Sequence, residues 1–297
     1  MTPSFWTIRR RETAAGLLFI APQLIGIVVF VLTPLVLICW YSLHEWNVLA
    51  GDFSWTGAEN YRQLTDDPNL PKVLMATGLF SVGLLVLNLS LALLLAVLLN
   101  QKLRGTVFFR TLFFSPVVVT SIAWTIVWGF LLQHNGGING LLGTVGITGP
   151  NWLRGNVTAM ISVIVVQVIK NVGLNMVLFL AALQGVPGDL YEAARVDGAT
   201  WWRSFRSITV PMISPTLLLT SIITVVGSLE VFAQIAVLTQ GGPGISTTVL
   251  VYYLYEQAFQ FHHLGYASTL SLLLFAIVLI LTVVQWQMRK KWVFHES

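Results

Sequence analysis

The sequence predicts an all-α membrane protein, a bundle of six transmembrane helices with a short helix in the loop between the fourth and fifth spans. Three observations carry that expectation. Of the 297 residues, 56% are apolar and only 9% are charged, against roughly a quarter charged in a soluble protein. Six stretches are long and apolar enough to cross a hydrocarbon core, which takes about 20 helical residues. Lys and Arg gather on alternate loops between those stretches.

The first stretch is Gly16 to Ser42, carrying Pro22 and Pro34, which kink a span where neighbours satisfy the freed carbonyls. Ala14 to Leu43 holds no formal charge, far beyond the roughly 7–15 residues of a signal-peptide core, so it reads as an uncleaved span. Cys39 lies inside this run and reads as a small buried hydrophobe. The second stretch is Val73 to Leu99 and the third Thr111 to Leu132. The fourth, Val157 to Leu183, is interrupted by Lys170, and the fifth, Thr216 to Leu238, by Glu230. The sixth is Gly265 to Met288. No internal repeat is visible.

Charge orients the bundle. With the N-terminus inside, the inner segments hold Arg9, Arg10, Arg11, Lys102, Arg104, Arg110, Arg195, Arg203, Arg206, Arg289, Lys290 and Lys291, which is twelve. The outer segments hold Arg62, Lys72 and Arg154, which is three. That bias places both termini in the cytoplasm, as a segment over 1–13 and a tail over 289–297, with a six-span domain over 14–288 between them. It also accounts for the net charge of +4 without nucleic acid. Trp40, Tyr41 and Trp46 mark one membrane face and Trp286 and Trp292 the other.

Between the fourth and fifth spans lies a polar island, residues 187–215, whose centre reads YEAARVDGATWWRSFRSITVPMISP from Tyr191. Pro187 and Gly188 break the preceding span. Asp189, three residues before Glu192, suggests a capping-box-like start to a helix over Leu190 to Val196 that stops at Asp197-Gly198. Thr200 is placed to cap a second short helix. There Trp201, Phe205 and Ile208 share a face at the membrane interface, with Arg203 and Arg206 away from it. The loop is thus expected to be a helix-turn-helix paddle, with small alanines on one arm that let another protein approach closely.

The order E-A-A, three residues, G, nine residues, I-x-V-P resembles the signature loop of inner-membrane permease subunits of binding-protein-dependent ABC importers; Val210 stands where that family usually has Leu. Further segments agree. Asn60-Tyr61 with Leu64 and Asp67-Pro68, in an outer loop over His44 to Lys72, resembles a loop of sugar-type permeases. Leu238-Thr239-Gln240-Gly241-Gly242-Pro243-Gly244 resembles the L-T-x-G-G-P-G segment of carbohydrate-importer permeases of the maltose type. By their residues alone, the first of these is a polar external loop and the second a tight Gly/Pro turn. The outer loop over Gln133 to Asn156, rich in Gly and Asn, is expected to be exposed. The resemblance covers about Gly16 to Met288.

The resemblance implies a permease subunit that moves a carbohydrate by alternating access. It implies a second, homologous permease, two cytoplasmic ATPases and an external solute-binding protein. It makes the helix at Glu192 a coupling helix, with Glu192, Ala193, Ala194, Asp197 and Gly198 docking an ATPase. The chain carries no G-x-x-x-x-G-K-[ST], H-E-x-x-H or G-x-S-x-G. ATP and Mg are therefore expected on the partner ATPase and no cofactor on this chain. Adjacent His262 and His263 diverge on a helix, so a solvated loop is the simpler reading than a metal site.

Lys170 and Glu230 stand inside spans, where a charge costs roughly 2.5–3.5 kcal/mol at the bilayer centre and faces the bundle or a cavity. With Asn175 and Gln234 nearby, the four are candidates to line the substrate path. A structural ion pair between Lys170 and Glu230 is the competing reading. Two other classes of function stay open. A self-sufficient secondary carrier needs inverted repeats, which are not visible. A membrane-embedded enzyme needs a nucleophile, base or metal constellation, which the sequence does not offer.

Overall fold

The computed structural model describes residues 5–47, 51–101 and 105–292. Residues 1–4, 48–50, 102–104 and 293–297 lie outside the described residues, among them Lys102 and Arg104 of the charge bias. Contacts divide the chain into two compact units, Met1–Asp66 with Glu256–Leu273, and Asp67–Tyr255 with Leu274–Ser297.

In the first unit, α1 (Phe5–Ile27), a π-helical turn (Val28–Leu32) and α2 (Thr33–Tyr41) follow one another, giving one apolar span over Ala15–Tyr41. The π turn precedes Pro34, which has no N–H to donate to the helix; the backbone N–H and hydroxyl of Thr33 both donate to the Val28 carbonyl, the hydroxyl at 2.9 Å. Side chains along this span point outward, Phe19 being 87% exposed, as suits a helix surrounded by lipid or by another membrane helix.

The outer loop expected to be merely polar is folded, and it departs from an all-α fold. Strands β1 (His44–Asn47) and β2 (Asp52–Trp55) pair antiparallel, with Trp46 opposite Phe53 and His44 opposite Trp55. Alternating aromatics make the pairing favourable: the Trp46 and Phe53 rings meet edge-on at 5.7 Å, and His44 stacks on Phe53 at 4.4 Å. Helix α3 (Glu59–Asp66) follows. Its buried Asn60 donates from Nδ2 to the carbonyls of Ser42 and His44, both at 2.9 Å, and so satisfies backbone where α2 gives way to β1.

The second unit is built on two long helices, α4 (Leu70–Leu99) and, after α5 (Thr106–Val118), α6 (Ser121–Leu131) and α7 (Gly137–Thr144), α8 (Asn156–Gln184). Residues Ala76, Phe80, Leu84, Asn88, Ala92 and Ala96 form one buried row four apart along α4, which packs against α8. One apolar cluster holds Phe80, Leu84, Val163, Val166 and Ile235. A second holds Ala92, Ala96, Met176, Phe179 and Ile213. Gly173 of α8 meets the backbone of Phe113 in α5 so closely that a Cβ would strike the Phe113 carbonyl, the small-residue contact by which membrane helices approach.

Two expected spans are not single helices. The third is α5 and α6, bent by 104°, with Val119 and Thr120 extended between them. Pro116 removes a backbone donor near the end of α5, and the β-branched run Val117 to Thr120 follows it. The fifth, expected over Thr216–Leu238, is cut near its end, and a sharp bend lies just before it. After α9 (Gly188–Val196), helix α10 (Trp201–Ser204), a π turn (Phe205–Thr209) and α11 (Val210–Met212) meet α12 (Ser214–Leu229) at 68°. Helix α12 stops before Glu230, and a separate π turn covers Ile235–Thr239. The chain ends with α13 (Leu250–Tyr255), a π turn (Glu256–Gln260) and α14 (Leu264–Trp292). Among the described residues four helices are thus long and apolar enough to span, or up to six if each bent pair counts as one.

The second outer loop is also ordered. Helix α7 lies within it, and Asn139 ties it together, donating to the carbonyls of His134 and Pro150 while accepting from Trp152 Nε1 at 2.7 Å.

Candidate functional site

The loop between α8 and α12 adopts the expected paddle. Its helix α9 begins two residues earlier than expected, at Gly188 with Pro187 as N-cap, and no side chain caps it. The capping-box reading of Asp189 therefore fails: Asp189 already lies in the first turn, where its charge favours the exposed N–H groups through the helix dipole. The stop is as expected and has a specific geometry. The Gly198 N–H donates to the Arg195 carbonyl and the Ala199 N–H to the Ala194 carbonyl, with Gly198 at φ +72°. This is the Schellman arrangement, which requires a left-handed residue that glycine supplies without steric cost.

The second arm begins at Thr200, whose hydroxyl accepts from the Arg203 N–H at 3.4 Å. Trp201 stacks on Phe205 at 5.4 Å and Trp202 lies beside the same ring at 5.7 Å, both indoles exposed. Ile208 is half-buried, and Arg203 and Arg206 are exposed. The two arms are fastened by a 2.9 Å hydrogen bond between Tyr191 Oη and Thr209 Oγ1. A cavity of 230 Å³ lies beneath them, lined by Val97, Asn100, Leu183, Tyr191 and Phe205 among others.

Glu192, Ala193, Asp197 and Gly198 are exposed on α9 and its stop, and Ala194 is half-buried. Val196 stands among them at 88% exposure, an apolar side chain projecting from a charged helix. Sequence reasoning passed over it; the available signal was a valine between Arg195 and Asp197 in a charged helix. The resulting surface is small, with exposed Ala193 and Val196 among Glu192, Arg195 and Asp197.

The four buried-path candidates are not brought together into one group. Lys170 is buried in α8 and donates from Nζ to the carbonyls of Val119 and Pro116, at 2.5 and 3.5 Å. Both carbonyls lie at the α5–α6 break; that of Pro116 also accepts the Val119 N–H, and unwound backbone inside a membrane protein needs such donors. Asn175 donates to Asn88 Oδ1 and, at 3.0 Å, to Thr224 Oγ1, joining α8 to α4 and α12. Gln234 donates to Gln167 Oε1 at 2.6 Å. Glu230 stands exposed at the end of α12. No Lys170–Glu230 ion pair forms; an exposed pair, Arg62–Asp66, is found elsewhere.

Asn88, Gln167 and Thr224 were not singled out from the sequence. The signal for Asn88 was an amide interrupting the period-four apolar row of α4. These side chains add a buried polar network to the two apolar clusters, in which Asn88, Asn175 and Gln234 donate to other parts of the chain and Gln167 accepts.

The Gly/Pro turn is likewise packed rather than solvated. Gln240, Gly241 and Gly244 have positive φ, Thr247 donates to Thr239 Oγ1 and the Gly242 carbonyl at 2.8 Å, and Thr248 donates to the Gly241 carbonyl. Thr247, Thr248, Tyr252 and Tyr253 are buried. His263 is exposed and His262 half-buried, and no metal-ligand cluster occurs among the described residues.

The family described as binding-protein-dependent transport system inner membrane component matches residues 88–290. The chain is 34% identical over 290 residues to the lactose transport system permease protein of Rhizobium radiobacter, covering 96% of this chain and 97% of that one. It is 32% identical over 281 residues to the trehalose/maltose transport system permease protein of Thermococcus litoralis, covering 93% and 94%. Among solved structures it resembles a chain of a bacterial ABC transporter involved in the import of the acidic polysaccharide alginate. There the TM-score is 0.83 at 21% identity, over 97% of this chain and 99% of that chain, a likeness of fold.

Proposed function

The chain belongs to the family of binding-protein-dependent transport system inner membrane components, and from that premise we propose that it is the subunit through which an ABC importer passes a carbohydrate. It is a multi-pass inner-membrane permease, a translocation subunit, with ATP hydrolysis on a separate subunit. Carbohydrate is favoured by the lactose and trehalose/maltose permeases it resembles over nearly its whole length. Neither a secondary carrier nor a membrane enzyme is favoured.

In this reading α5 and α6 together make the third span, and α12 with the segment to Leu238 makes the fifth. The permease domain runs over residues 14–288, crosses six times and keeps both termini in the cytoplasm. Helix α9 is the coupling helix, and Glu192, Ala193, Ala194, Asp197 and Gly198 dock an ATPase whose bound ATP and Mg supply the energy. A second permease, a second ATPase and an external solute-binding protein complete the importer. The paddle, fastened by Tyr191 and Thr209, passes the movement of the ATPase to α12, which begins directly after it. Of the path residues, we place Glu230 on the path with its free carboxylate. Lys170, Asn175 and Gln234 hold the walls, since their donors are taken up within the chain.

The observation that carries this reading is the exposed face of α9, where Val196 and Ala193 lie bare beside Glu192. The test is cross-linking from a cysteine placed at Val196, in a chain with Cys39 replaced by Ser. Cross-links to the ATPase subunit are expected, and their absence in an assembled, active complex would remove the docking role.

A further inference from the structure

The folded outer module of the first unit carries a cleft that the proposed mechanism does not use. Its volume is 260 Å³, and its lining includes Glu45, Trp46, Glu59, Gln63, His263 and Tyr266. The cleft is built, not incidental. Glu45 and Trp46 come from β1, Glu59 and Gln63 from α3, His263 from the residue before α14 and Tyr266 from its first turn. These three elements are locked together. Asn60 ties α3 to β1, and Gly265 lies so close to the His44 carbonyl that a Cβ would collide with it.

The side chains of Glu45, Glu59, Gln63 and His263 are exposed, and none makes a hydrogen bond to another described residue. Four polar groups therefore converge on the cleft with their bonding capacity unspent, beside two aromatic rings, Trp46 half-buried and Tyr266 buried. Small-molecule sites combine an aromatic wall with a few placed polar groups in this way. Two carboxylates accept hydroxyl hydrogen bonds, an amide and an imidazole both donate and accept, and an aromatic face covers C–H groups. No Lys or Arg lines the cleft.

We propose that this cleft is an outer subsite for a single pyranose ring, neutral or cationic, occupied before the sugar reaches the spans. The inference rests on the carbohydrate reading above and adds to it a place and a charge preference. Two carboxylates with no lysine or arginine opposite them favour an amino sugar over its neutral parent, and disfavour a sugar acid.

The test uses the importer complex in lipid nanodiscs without its binding protein. Binding of glucose, glucosamine and glucuronate is followed by saturation-transfer NMR at millimolar saccharide. Glucosamine is expected to bind more tightly than glucose and glucuronate least. Glu59→Gln should weaken glucosamine about tenfold, the scale of one charged hydrogen bond, and narrow the gap to glucuronate. Trp46→Phe, which keeps an aromatic ring against Phe53, should weaken glucose and glucosamine alike. Arg154→Gln, at a separate cavity lined by Gln133, His134 and Gln240, should leave all three unchanged. Absence of binding, an order led by glucuronate, or affinities unmoved by Glu59→Gln would each overturn the subsite. Carbohydrate uptake by the whole importer separates this from the broader reading. Normal uptake with an unresponsive cleft sinks the subsite alone, and binding at the cleft by an importer that carries no carbohydrate sinks the function alone.

Discussion

The Lys170 ammonium donates to the Val119 carbonyl across 51 residues of chain, at 2.5 Å. Val119 is the first extended residue after α5, where the helix turns through 104° into α6. A break of that size leaves carbonyls without partners in a setting where water cannot serve them. The lysine of α8 supplies the donor, so an intramembrane charge that looked like a candidate for substrate or for Glu230 is committed to the backbone of a neighbouring helix.

Replacing Lys170 by Met therefore removes the donor and leaves the break unsatisfied. An unpaired buried polar group costs about 1–3 kcal/mol, so the apparent melting temperature of the purified complex should fall by several degrees. Glu230→Gln should leave it nearly unchanged, because Glu230 is exposed and no ion pair joins the two. Thermal unfolding of both single variants and the double variant should give effects additive within about 0.5 kcal/mol. Strong coupling would restore the ion-pair reading.

Asn175 can be tested against its partners. Asn175→Leu strands Asn88 Oδ1 and takes a donor from Thr224. Hydrogen bonds between membrane helices average about 0.6 kcal/mol and reach about 1.7, so a loss near the upper value is expected. The double change Asn88→Leu with Asn175→Leu should recover part of it, since two apolar groups leave no polar atom unpaired. Protease susceptibility in detergent would read the order single variant, double variant, unaltered chain.

Gly173→Ala places a methyl against the Phe113 carbonyl, a backbone atom that cannot swing aside. It should separate α5 from α8 and lower the yield of folded complex. Gly78→Ala is the matched control, because a Cβ there meets nothing within 4 Å, and it should be neutral or slightly stabilising. Equal behaviour of the two variants in size-exclusion yield would contradict the close packing.

Gly198→Ala tests the paddle's stop. A side chain at φ +72° costs roughly 1–2 kcal/mol, with open space around it. The chain should insert and assemble, while uptake falls because the turn no longer holds α9 at a fixed angle to the second arm. Unchanged uptake at normal expression would mean the angle does not matter.

Much of this was legible in the sequence, for reasons that particular residues display. The long spans at α4, α8 and α14 were readable because lipid and core both demand apolar side chains over about 20 residues. The paddle was readable from Gly198 and Thr200, whose roles are local. The α5–α6 break was not, because Ser121–Leu131 is as apolar as the helix before it and hydropathy does not register direction. The hairpin was missed because only four residues alternate on each strand and the pairing depends on Asn60, sixteen residues beyond His44. The polar network was half legible: Asn175 and Gln234 were singled out beside the two charges, but their partners Asn88, Gln167 and Thr224 lie on distant stretches of sequence. Asn88 needed a partner 87 residues away before its place had meaning.

The central claim is that this chain passes a carbohydrate only when driven through α9. Glu192 is exposed and makes no hydrogen bond within the described chain, so its importance must lie with a partner. The most direct measurement is uptake of labelled disaccharide into proteoliposomes holding this chain, its second permease and the ATPases. The binding protein is supplied outside and ATP inside. Uptake should require ATP and should be abolished by Glu192→Lys while the complex keeps its melting temperature. Uptake by this chain alone on an ion gradient, or full ATP-driven uptake by the Glu192→Lys complex, would contradict the account.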